Sequence, residues 1–382
     1  MDTMRTQSQN PLEVVPFLDL TAQQTEVADE VLPRWAELFR SAAFIGGPDI
    51  DAFENEYAAY VGVNYCIGVA NGTDAIELAL RGVGVEAGDE VILPANTFIA
   101  TAEAVSRVGA HPVLVDVDED YLLMDPQLVE AAITQRTRAV IPVHLFGQTA
   151  PMDDLVPIAE HHGLPIIEDC AQSQGATSSY GRAGALGVVA ATSFYPGKNL
   201  GAAGDAGGVL TDDDAIALRV REIANHGSLV KYVHTTVGVN SRLDAIQAVL
   251  LRAKLRRLET WNEARREAAD RYEQLLADAS RLRTPKSRPG NVDVWHLYVV
   301  RVPNRDTVLA RLIDEGIGAS VHYPTPLHLT DAYRHLGYRL GQFPVAEAAA
   351  GQILSLPLYP HISPEEQQRV STVLKRVLSR AD

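Results

Sequence analysis

The feature that most constrains this chain is a repeated alternation of short apolar runs with helical segments from about residue 60 to residue 197. The apolar runs are YCIGVA (65–70), DEVILP (89–94), HPVLVDVD (111–118), RAVIPVHLFG (138–147), LPIIEDCAQ (164–172) and ATSFYPG (191–197). Near-continuous Val, Ile and Leu indicate strands that are buried on both faces. The alternation therefore predicts an α/β fold with a mostly parallel, doubly wound sheet.

The pattern changes after about residue 240. Residues 241–278 contain neither Pro nor Gly and predict one long helix. A turn-rich segment, a strand candidate at 294–302 and a last helix that opens on Ser363-Pro364 follow. We therefore place a domain boundary near residue 250, with an N-terminal segment and a large domain in residues 1–250. Residues 251–382 would form a bridging helix and a smaller α/β domain.

Charge and cysteine content exclude several classes of protein. The chain has 382 residues with 33 basic and 49 acidic side chains, a formal net charge of −16. This disfavours binding to nucleic acid or to an anionic membrane. Cys66 and Cys170 cannot form a disulfide framework or a four-cysteine zinc site. The opening MDTMRTQSQNPLEVV lacks the apolar core of a signal peptide, so the sequence predicts a cytoplasmic protein.

The familiar nucleotide and metal motifs do not match. In the stretch around PGKNLG, Thr192 stands where a P-loop needs its first glycine, and Asn199 follows the lysine. The glycines of RGVGVEAGDE precede a strand, whereas a dinucleotide fingerprint follows one. The pair His161-His162 is interpreted as an exposed helix end, and no metal site is predicted.

Three features together indicate one cofactor. Asp169 ends an apolar strand, Lys198 follows the next strand among small residues, and NGT (71–73) stands where a strand turns into a helix. Taken singly, these are commonly a capping acid, a surface lysine and an ordinary capped turn. Taken together, an acid for a pyridinium, an amine for a Schiff base and a helix N-terminus for a phosphate describe pyridoxal phosphate.

With these features, the sequence resembles the DegT/DnrJ-type sugar aminotransferases, relatives of the aspartate aminotransferase fold that act on nucleotide-linked keto-sugars. The motifs that carry the resemblance run from PFLDL (16–20) through NGTDAIELAL, LPANTFIAT, EDCAQSQGA, SFYPGKNLGAAGDAGG and VHYPTPLHL to LSLPLYP. The resemblance implies an aspartate-aminotransferase-like large domain and a smaller C-terminal α/β domain.

The resemblance also implies cofactor-binding roles for eight residues, Gly72, Thr73, Phe98, Asp169, Gln172, Ser193, Lys198 and Asn240. Lys198 and Asp169 are the catalytic pair, the first bound to the cofactor and the second paired with its ring nitrogen. Asn240 would reach the phosphate of a partner subunit, which implies a homodimer with shared active sites. Without the family context, Phe98 reads as core and Asn240 as a turn residue.

The resemblance implies a ping-pong transamination with glutamate as the amino donor. Relatives that deoxygenate the sugar carry His where this chain has Lys198. SFYPGKNLGA is similar to the enzymes that aminate C3 of a dTDP-3-keto-6-deoxyhexose for amino-deoxysugar and antibiotic biosynthesis. A C4-specific enzyme, a cyclitol-ketone aminotransferase and a catalytically silent, cofactor-binding regulator are the alternatives. Candidate substrate contacts are Phe44, Gly46, Tyr195, His322, Tyr323 and His328.

Overall fold

The computed structural model describes residues 14–380. The prediction that the chain starts without a signal peptide rests mainly on residues 1–13, outside this range. The strands are β1 (Tyr65–Val69), β2 (Glu90–Pro94), β3 (His111–Val115), β4 (Thr137–Val140), β5 (Ile167–Asp169), β6 (Thr177–Ser178), β7 (Gly181–Arg182), β8 (Val189–Ser193), β9 (Gly207–Thr211), β10 (Tyr298–Arg301) and β11 (Ile353–Leu356).

The helices alternate with these strands as the apolar pattern predicts. They are α1 (Thr21–Ser41), α2 (Pro48–Val61), α3 (Gly72–Gly82), α4 (Ile99–Arg107), α5 (Pro126–Ala132), α6 (Met152–His161), α7 (Asp214–Ala224), α8 (Ala245–Leu255), α9 (Leu258–Leu276), α10 (Arg305–Asp314), α11 (Pro344–Ala350) and α12 (Pro364–Leu378). Within residues 14–380, no helix combines the length and the apolar character needed to cross a bilayer.

The main sheet has the order β1-β9-β8-β5-β4-β2-β3. Hydrogen-bonded ladders join β1-β9-β8-β5 and β3-β2-β4. Parallel bridges from Val140 to Ile166 and from Val143 to Asp169 connect the two groups. All pairs are parallel except those of β9, which is antiparallel to both β1 and β8. The predicted mostly parallel sheet is therefore confirmed.

The sequence pattern missed β9. Its five residues, GGVLT, follow a glycine-rich stretch and carry two glycines themselves, and glycine weakens a strand signal. All five are buried, because β9 lies between β1 and β8 in the middle of the ladder. The consequence for the site is that the segment between β8 and β9 is a hairpin loop rather than a crossover.

Helices cover both faces of the sheet, as a doubly wound arrangement requires. Apolar residues of α3, α4 and α7 pack on one face in a single buried cluster with the strands. Residues of α5 and α6 pack with β2, β3 and β4 on the other. A separate cluster joins α9, α10 and α12 to the two-stranded sheet of β10 and β11. The exact domain boundary near residue 250 stays a prediction.

The expectation of one continuous helix over 241–278 was wrong. The helix breaks at Arg256 and Arg257, although no Pro or Gly forces the break. The residues before it bury their apolar face against α1, and the residues after it bury theirs in the C-terminal cluster. A single straight helix could not present both faces, and Glu30 of α1 pairs with both arginines where the direction changes.

Two predicted helix starts are confirmed at the level of the cap. Asp125 accepts a hydrogen bond from the Gln127 amide, with Pro126 at the first helical position. Ser363 and Glu366 form a reciprocal capping box at the start of α12, which satisfies two amides that the helix itself cannot.

Candidate active site

A cavity of about 280 Å³ lies at the carboxyl ends of the parallel strands, where open α/β sheets bind their ligands. It brings together most of the residues that the sequence nominated. Nine of them line it: Gly72, Thr73, Phe98, Asp169, Gln172, Ser193, Tyr195, Lys198 and Tyr323.

Asp169 is the last residue of β5 and is buried at 5% exposure. Its Oδ2 accepts a hydrogen bond of 2.8 Å from Thr101 Oγ1, and its Oδ1 accepts one of 3.1 Å from the Ala171 amide. Burial raises the pKa of this carboxyl, and the hydrogen bonds from Thr101 and Ala171 partly offset that effect. Because the Thr101 proton goes to Asp169, the 3.0 Å contact between Thr97 and Thr101 must use the proton of Thr97.

Lys198 lies in the hairpin loop between β8 and β9. The loop is closed by a 2.8 Å hydrogen bond from the Ala202 amide to the Phe194 carbonyl. The Lys198 amide donates to the Tyr195 carbonyl at 2.8 Å, which makes a tight turn at the lysine itself. Burial lowers the pKa of the Lys198 amine to about 8, while the charge of Asp169 acts in the opposite direction.

The N-terminus of α3 forms a third wall. Asn71 caps the helix by accepting a 2.8 Å hydrogen bond from the Asp74 amide. The amides of Gly72 and Thr73 have no acceptor within residues 14–380 and lie at the positive end of the helix dipole. A Cβ on Gly72 would stand 2.6 Å from Ser193 Cβ. Only glycine therefore lets α3 and β8 approach this closely.

Gln172 is held in one orientation at the opposite side of the cavity. Its Oε1 accepts a 2.7 Å hydrogen bond from the Phe146 amide, and its Nε2 donates to Tyr323 Oη at 3.1 Å. The ring of Tyr323 lies 5.3 Å from the ring of Phe98, centroid to centroid. Phe98 is half exposed at the cavity wall, so its ring is accessible to a ligand in the cavity.

Five of the nominated residues lie outside the cavity. His322 is the nearest of them, because its ring contacts Tyr323 and burial, assisted by the charge of Lys198, lowers its pKa to about 4. His328 is buried against Glu347, with Nε2 at 2.9 Å from Oε1. Phe44, Gly46 and Asn240 are in loops that do not line this cavity, and Asn240 is exposed.

Sequence reasoning missed two kinds of residue at the site. Thr97 and Thr101 are completely or almost completely buried. Thr101 donates a hydrogen bond to the Asp169 carboxylate, and Thr97 hydrogen-bonds to Thr101. Thr97 lies just before α4 and Thr101 lies in its first turn, and no local pattern links either residue to Asp169. Asp205, in the loop before β9, also lines the cavity, and no local pattern distinguishes it from a surface acid.

Comparison with known proteins agrees with this geometry. The model of the DegT/DnrJ/EryC1/StrS aminotransferase family matches residues 25–375. The erythromycin biosynthesis sensory transduction protein EryC1 of Saccharopolyspora erythraea is 48% identical over 361 residues, which cover 94% of this chain and 99% of EryC1.

Two further similarities come from Streptomyces venezuelae. Its dTDP-3-amino-3,4,6-trideoxy-alpha-D-glucose transaminase is 46% identical, over 96% of this chain and 97% of that protein. The crystal structure of DesV in complex with a ketimine intermediate superimposes with a TM-score of 0.94 and 46% identity, covering 97% of this chain and all of DesV. Agreement of this kind along nearly the whole length means that the chain belongs to the DegT/DnrJ/EryC1/StrS aminotransferase family.

Proposed function

We propose that this protein is a pyridoxal-phosphate-dependent aminotransferase that aminates C3 of a dTDP-linked keto-deoxyhexose. The observation that carries the proposal is the convergence of Asp169, Lys198 and the start of α3 on one cavity. The choice of C3 and of a dTDP sugar follows the similarity to the Streptomyces venezuelae transaminase.

The residues present fit the cofactor. The unpaired amides of Gly72 and Thr73, with the Ser193 hydroxyl beside them, offer hydrogen-bond donors to a phosphate. The buried carboxylate of Asp169 suits a protonated ring nitrogen. Burial raises the pKa of this carboxyl, and a cation next to it would lower that pKa again. The amine of Lys198, with a pKa of about 8, is partly neutral near neutral pH and would hold the cofactor covalently at its aldehyde carbon.

When bound, pyridoxal phosphate supplies an electron-withdrawing ring that acidifies the C–H bond next to the transferred nitrogen. The part played by the chain is to orient the reactants and to move protons. The Asp169 carboxylate, fixed by Thr101 and Ala171, holds positive charge at the ring nitrogen. The Lys198 amine accepts and returns a proton, for which a pKa near the working pH is favourable.

We further propose that glutamate is the amino donor and that two copies of the chain share their active sites. Lys198 is the only lysine or arginine among the described residues that line the cavity, although both substrates are anionic. The loop of residues 225–243, which follows α7, contains no Asp or Glu and carries Lys231 and Arg242. In this loop Tyr232 and Val237 are more than 80% exposed, which fits an interface with a second copy that also delivers Asn240.

The free, buried thiols of Cys66 and Cys170 are consistent with the proposed cytoplasmic location.

The proposal is tested by incubating purified protein with pyridoxal phosphate, then with glutamate, then with a panel of 3-keto and 4-keto dTDP-sugars. We expect a visible absorption band that glutamate discharges, followed by an amine at C3 of a 3-keto sugar. Lys198→Ala should abolish the band, whereas Lys375→Ala, at a partly exposed lysine paired with Asp278, should keep it. A colourless wild-type protein that takes up no cofactor would contradict the proposal.

EryC1 is named as a sensory transduction protein, and the similarity to it makes a regulatory role the second candidate. Such a protein would show the absorption band and yet form no amine from any sugar of the panel. An amine at C4 identifies the other regiochemistry. Inhibition by free dTDP separates a nucleotide-sugar enzyme from one that acts on a cyclitol ketone, because only the former binds the nucleotide.

A further inference from the structure

A chain of buried side-chain amides runs behind the cavity, from the segment after Asp169 to the residue after Lys198. Its members are Gln174, Asn262 and Asn199, each no more than 2% exposed. None of the three lines the cavity, and the reaction proposed above uses none of them. They belong to three different parts of the fold: the segment after β5, helix α9 and the β8–β9 loop.

Asn262 is the central link. Its Nδ2 donates a 2.9 Å hydrogen bond to the main-chain carbonyl of Gln174, and its Oδ1 accepts one of 2.9 Å from Asn199 Nδ2. A Cβ on Gly175, which has φ +100°, would stand 2.6 Å from Asn262 Nδ2. The asparagine is therefore packed directly against the backbone that follows β5.

Gln174 extends the chain toward the strand that leads to the lysine. Its Nε2 lies 2.8 Å from the Ser193 carbonyl, 3.0 Å from Thr192 Oγ1 and 3.3 Å from the Ala171 carbonyl. Ala171 is the residue whose amide donates to Asp169. The side-chain amide of Gln174 therefore contacts both Ala171, which hydrogen-bonds to Asp169, and the last two residues of β8.

Asn199 completes the chain beside the lysine. Its Nδ2 donates to Asn262 and, at 2.9 Å, to the Val294 carbonyl, so both protons are used. Its Oδ1 can only accept, and it lies 3.2 Å from His296 Nδ1. The proton of neutral His296 is therefore on Nδ1, and burial keeps the pKa of this histidine well below its ordinary value.

Resting on the function proposed above, we propose that the Gln174–Asn262–Asn199 chain fixes the Lys198 amine relative to the Asp169 carboxylate, which makes Asn262 a positioning residue for proton transfer. Asn262 joins the segment after β5 to the loop that carries Lys198, through the main-chain carbonyl of Gln174 on one side and Asn199 Nδ2 on the other. A misplacement of about 1 Å at a reacting group can cost about 100-fold in rate, so a rigid connection has a catalytic consequence.

The test begins with the apoprotein, where it needs neither cofactor nor sugar. The pKa of Lys198 is measured from the pH dependence of its labelling by acetic anhydride, followed by mass spectrometry of the peptide. In the wild type we expect a value of about 8. In Asn262→Ala and in Asn199→Ala the released loop should expose the amine, so the pKa should rise toward its ordinary value by about one unit.

The same variants are then loaded with pyridoxal phosphate and mixed with glutamate in a single turnover. Discharge of the absorption band should be about 10-fold slower or more, because proton transfer depends on the position of the amine. Asn291→Ala is the matched control, since Asn291 also donates a partly buried hydrogen bond to a main-chain carbonyl, that of Thr149, and does not contact the three amide residues. It should change neither the pKa nor the rate.

Thermal melting separates positioning from support of the fold. The proposal is overturned if the variants melt at a lower temperature but keep the wild-type Lys198 pKa and the wild-type discharge rate. If Asn262→Ala does not fold, Asn199→Ala decides by the same two measurements. A wild type that binds no cofactor would refute the proposed function, whereas the labelling of the apoprotein would still decide whether the amide chain sets the position of Lys198.

Discussion

At Gly72, two elements of the proposed phosphate site approach each other more closely than any side chain allows. A Cβ there would be 2.6 Å from Ser193 Cβ and 3.2 Å from Ser193 Cα. Real Cβ atoms do not come this close to other carbon atoms, so the start of α3 or the end of β8 would have to move. The amides of Gly72 and Thr73 would move with it.

We therefore expect Gly72→Ala to weaken cofactor binding about 10-fold or more, since overpacking of this kind costs about 1–3 kcal/mol. The dissociation constant for pyridoxal phosphate, from a spectroscopic titration of the apoprotein, measures the effect. Gly351→Ala is the control, because its Cβ would meet only the Ala348 carbonyl at 3.6 Å. Equal affinities of Gly72→Ala and the wild type would show that the two elements separate without cost.

Residues with a local signal were the ones that the sequence could nominate. Asp169, Lys198 and Gly72 each stand at a strand end or a helix start, where pattern and chemistry coincide, and all three line the cavity. Thr101 was missed, because its role depends on the carboxylate of a residue 68 positions away. His328 was nominated from its loop, yet it is buried against Glu347, a pairing that no local pattern contains.

Helix α8 holds the lysine loop with two side chains that are seven residues apart and therefore on one face. Gln247 Oε1 accepts a 2.8 Å hydrogen bond from the Ala203 amide. Lys254 Nζ donates to the Gly201 carbonyl at 2.7 Å. Lys254 is almost completely buried, and burial lowers its pKa to about 8.

This lowered pKa makes stability depend on pH in a defined direction. Above pH 8 the folded chain loses the Lys254 proton, whereas the unfolded chain keeps it up to about pH 10.5. The unfolded chain thus binds more protons in this window, and the free energy of unfolding rises with pH. Relative to Lys254→Met, the wild type should gain about 2–3 kcal/mol from about pH 7 to about pH 10.

Urea unfolding of both proteins across this pH range measures the gain, with Lys375→Met as the control at a more exposed lysine. The difference between the wild type and Lys375→Met should stay nearly constant with pH. If the wild type and Lys254→Met follow parallel curves instead, the amine of Lys254 is hydrated in the folded protein and does not titrate near pH 8.

At the level of elements, strong periodicity was a reliable guide and irregular connections were not. The strands with continuous apolar runs and the capped helices α5 and α12 appear where the sequence places them. Strand β9 and the break between α8 and α9 were missed, because both are decided by neighbours distant in sequence. Strand β9 forms because it pairs with β1 and β8 on either side. The helix breaks because its two halves pack into two separate apolar clusters.

For the whole molecule, two features bear on how anions are bound: the net charge of −16, and a cavity lining that has one basic side chain within residues 14–380. A lone subunit offers its substrates Lys198 and backbone amides, together with the acids Asp169 and Asp205. In the shared site proposed above, a second copy would add the loop of residues 225–243, with Asn240, to these groups.

Sharing has a simple consequence for mixtures of inactive variants. Lys198→Ala and Asn240→Ala should each be impaired alone, but mixed dimers should contain one site with neither change. After subunit exchange we expect about a quarter of wild-type activity, because random pairing makes half of the dimers mixed. A mixture of Lys198→Ala with Asp169→Asn is the control, since both residues line the same cavity and no intact site can form. No recovery in the first mixture would contradict sharing.

The hairpin between β8 and β9 also determines which motions the catalytic amine can make. Its backbone is held at both ends, by the Phe194 amide on the Ala206 carbonyl and the Ala202 amide on the Phe194 carbonyl. Lys198 can therefore travel between two reacting atoms only by rotation about its own side-chain bonds. Rotation about side-chain bonds is a smaller motion than the loop and domain rearrangements that extend to microseconds and milliseconds. We therefore expect proton delivery by this lysine to need no opening or closing of the segment that carries it.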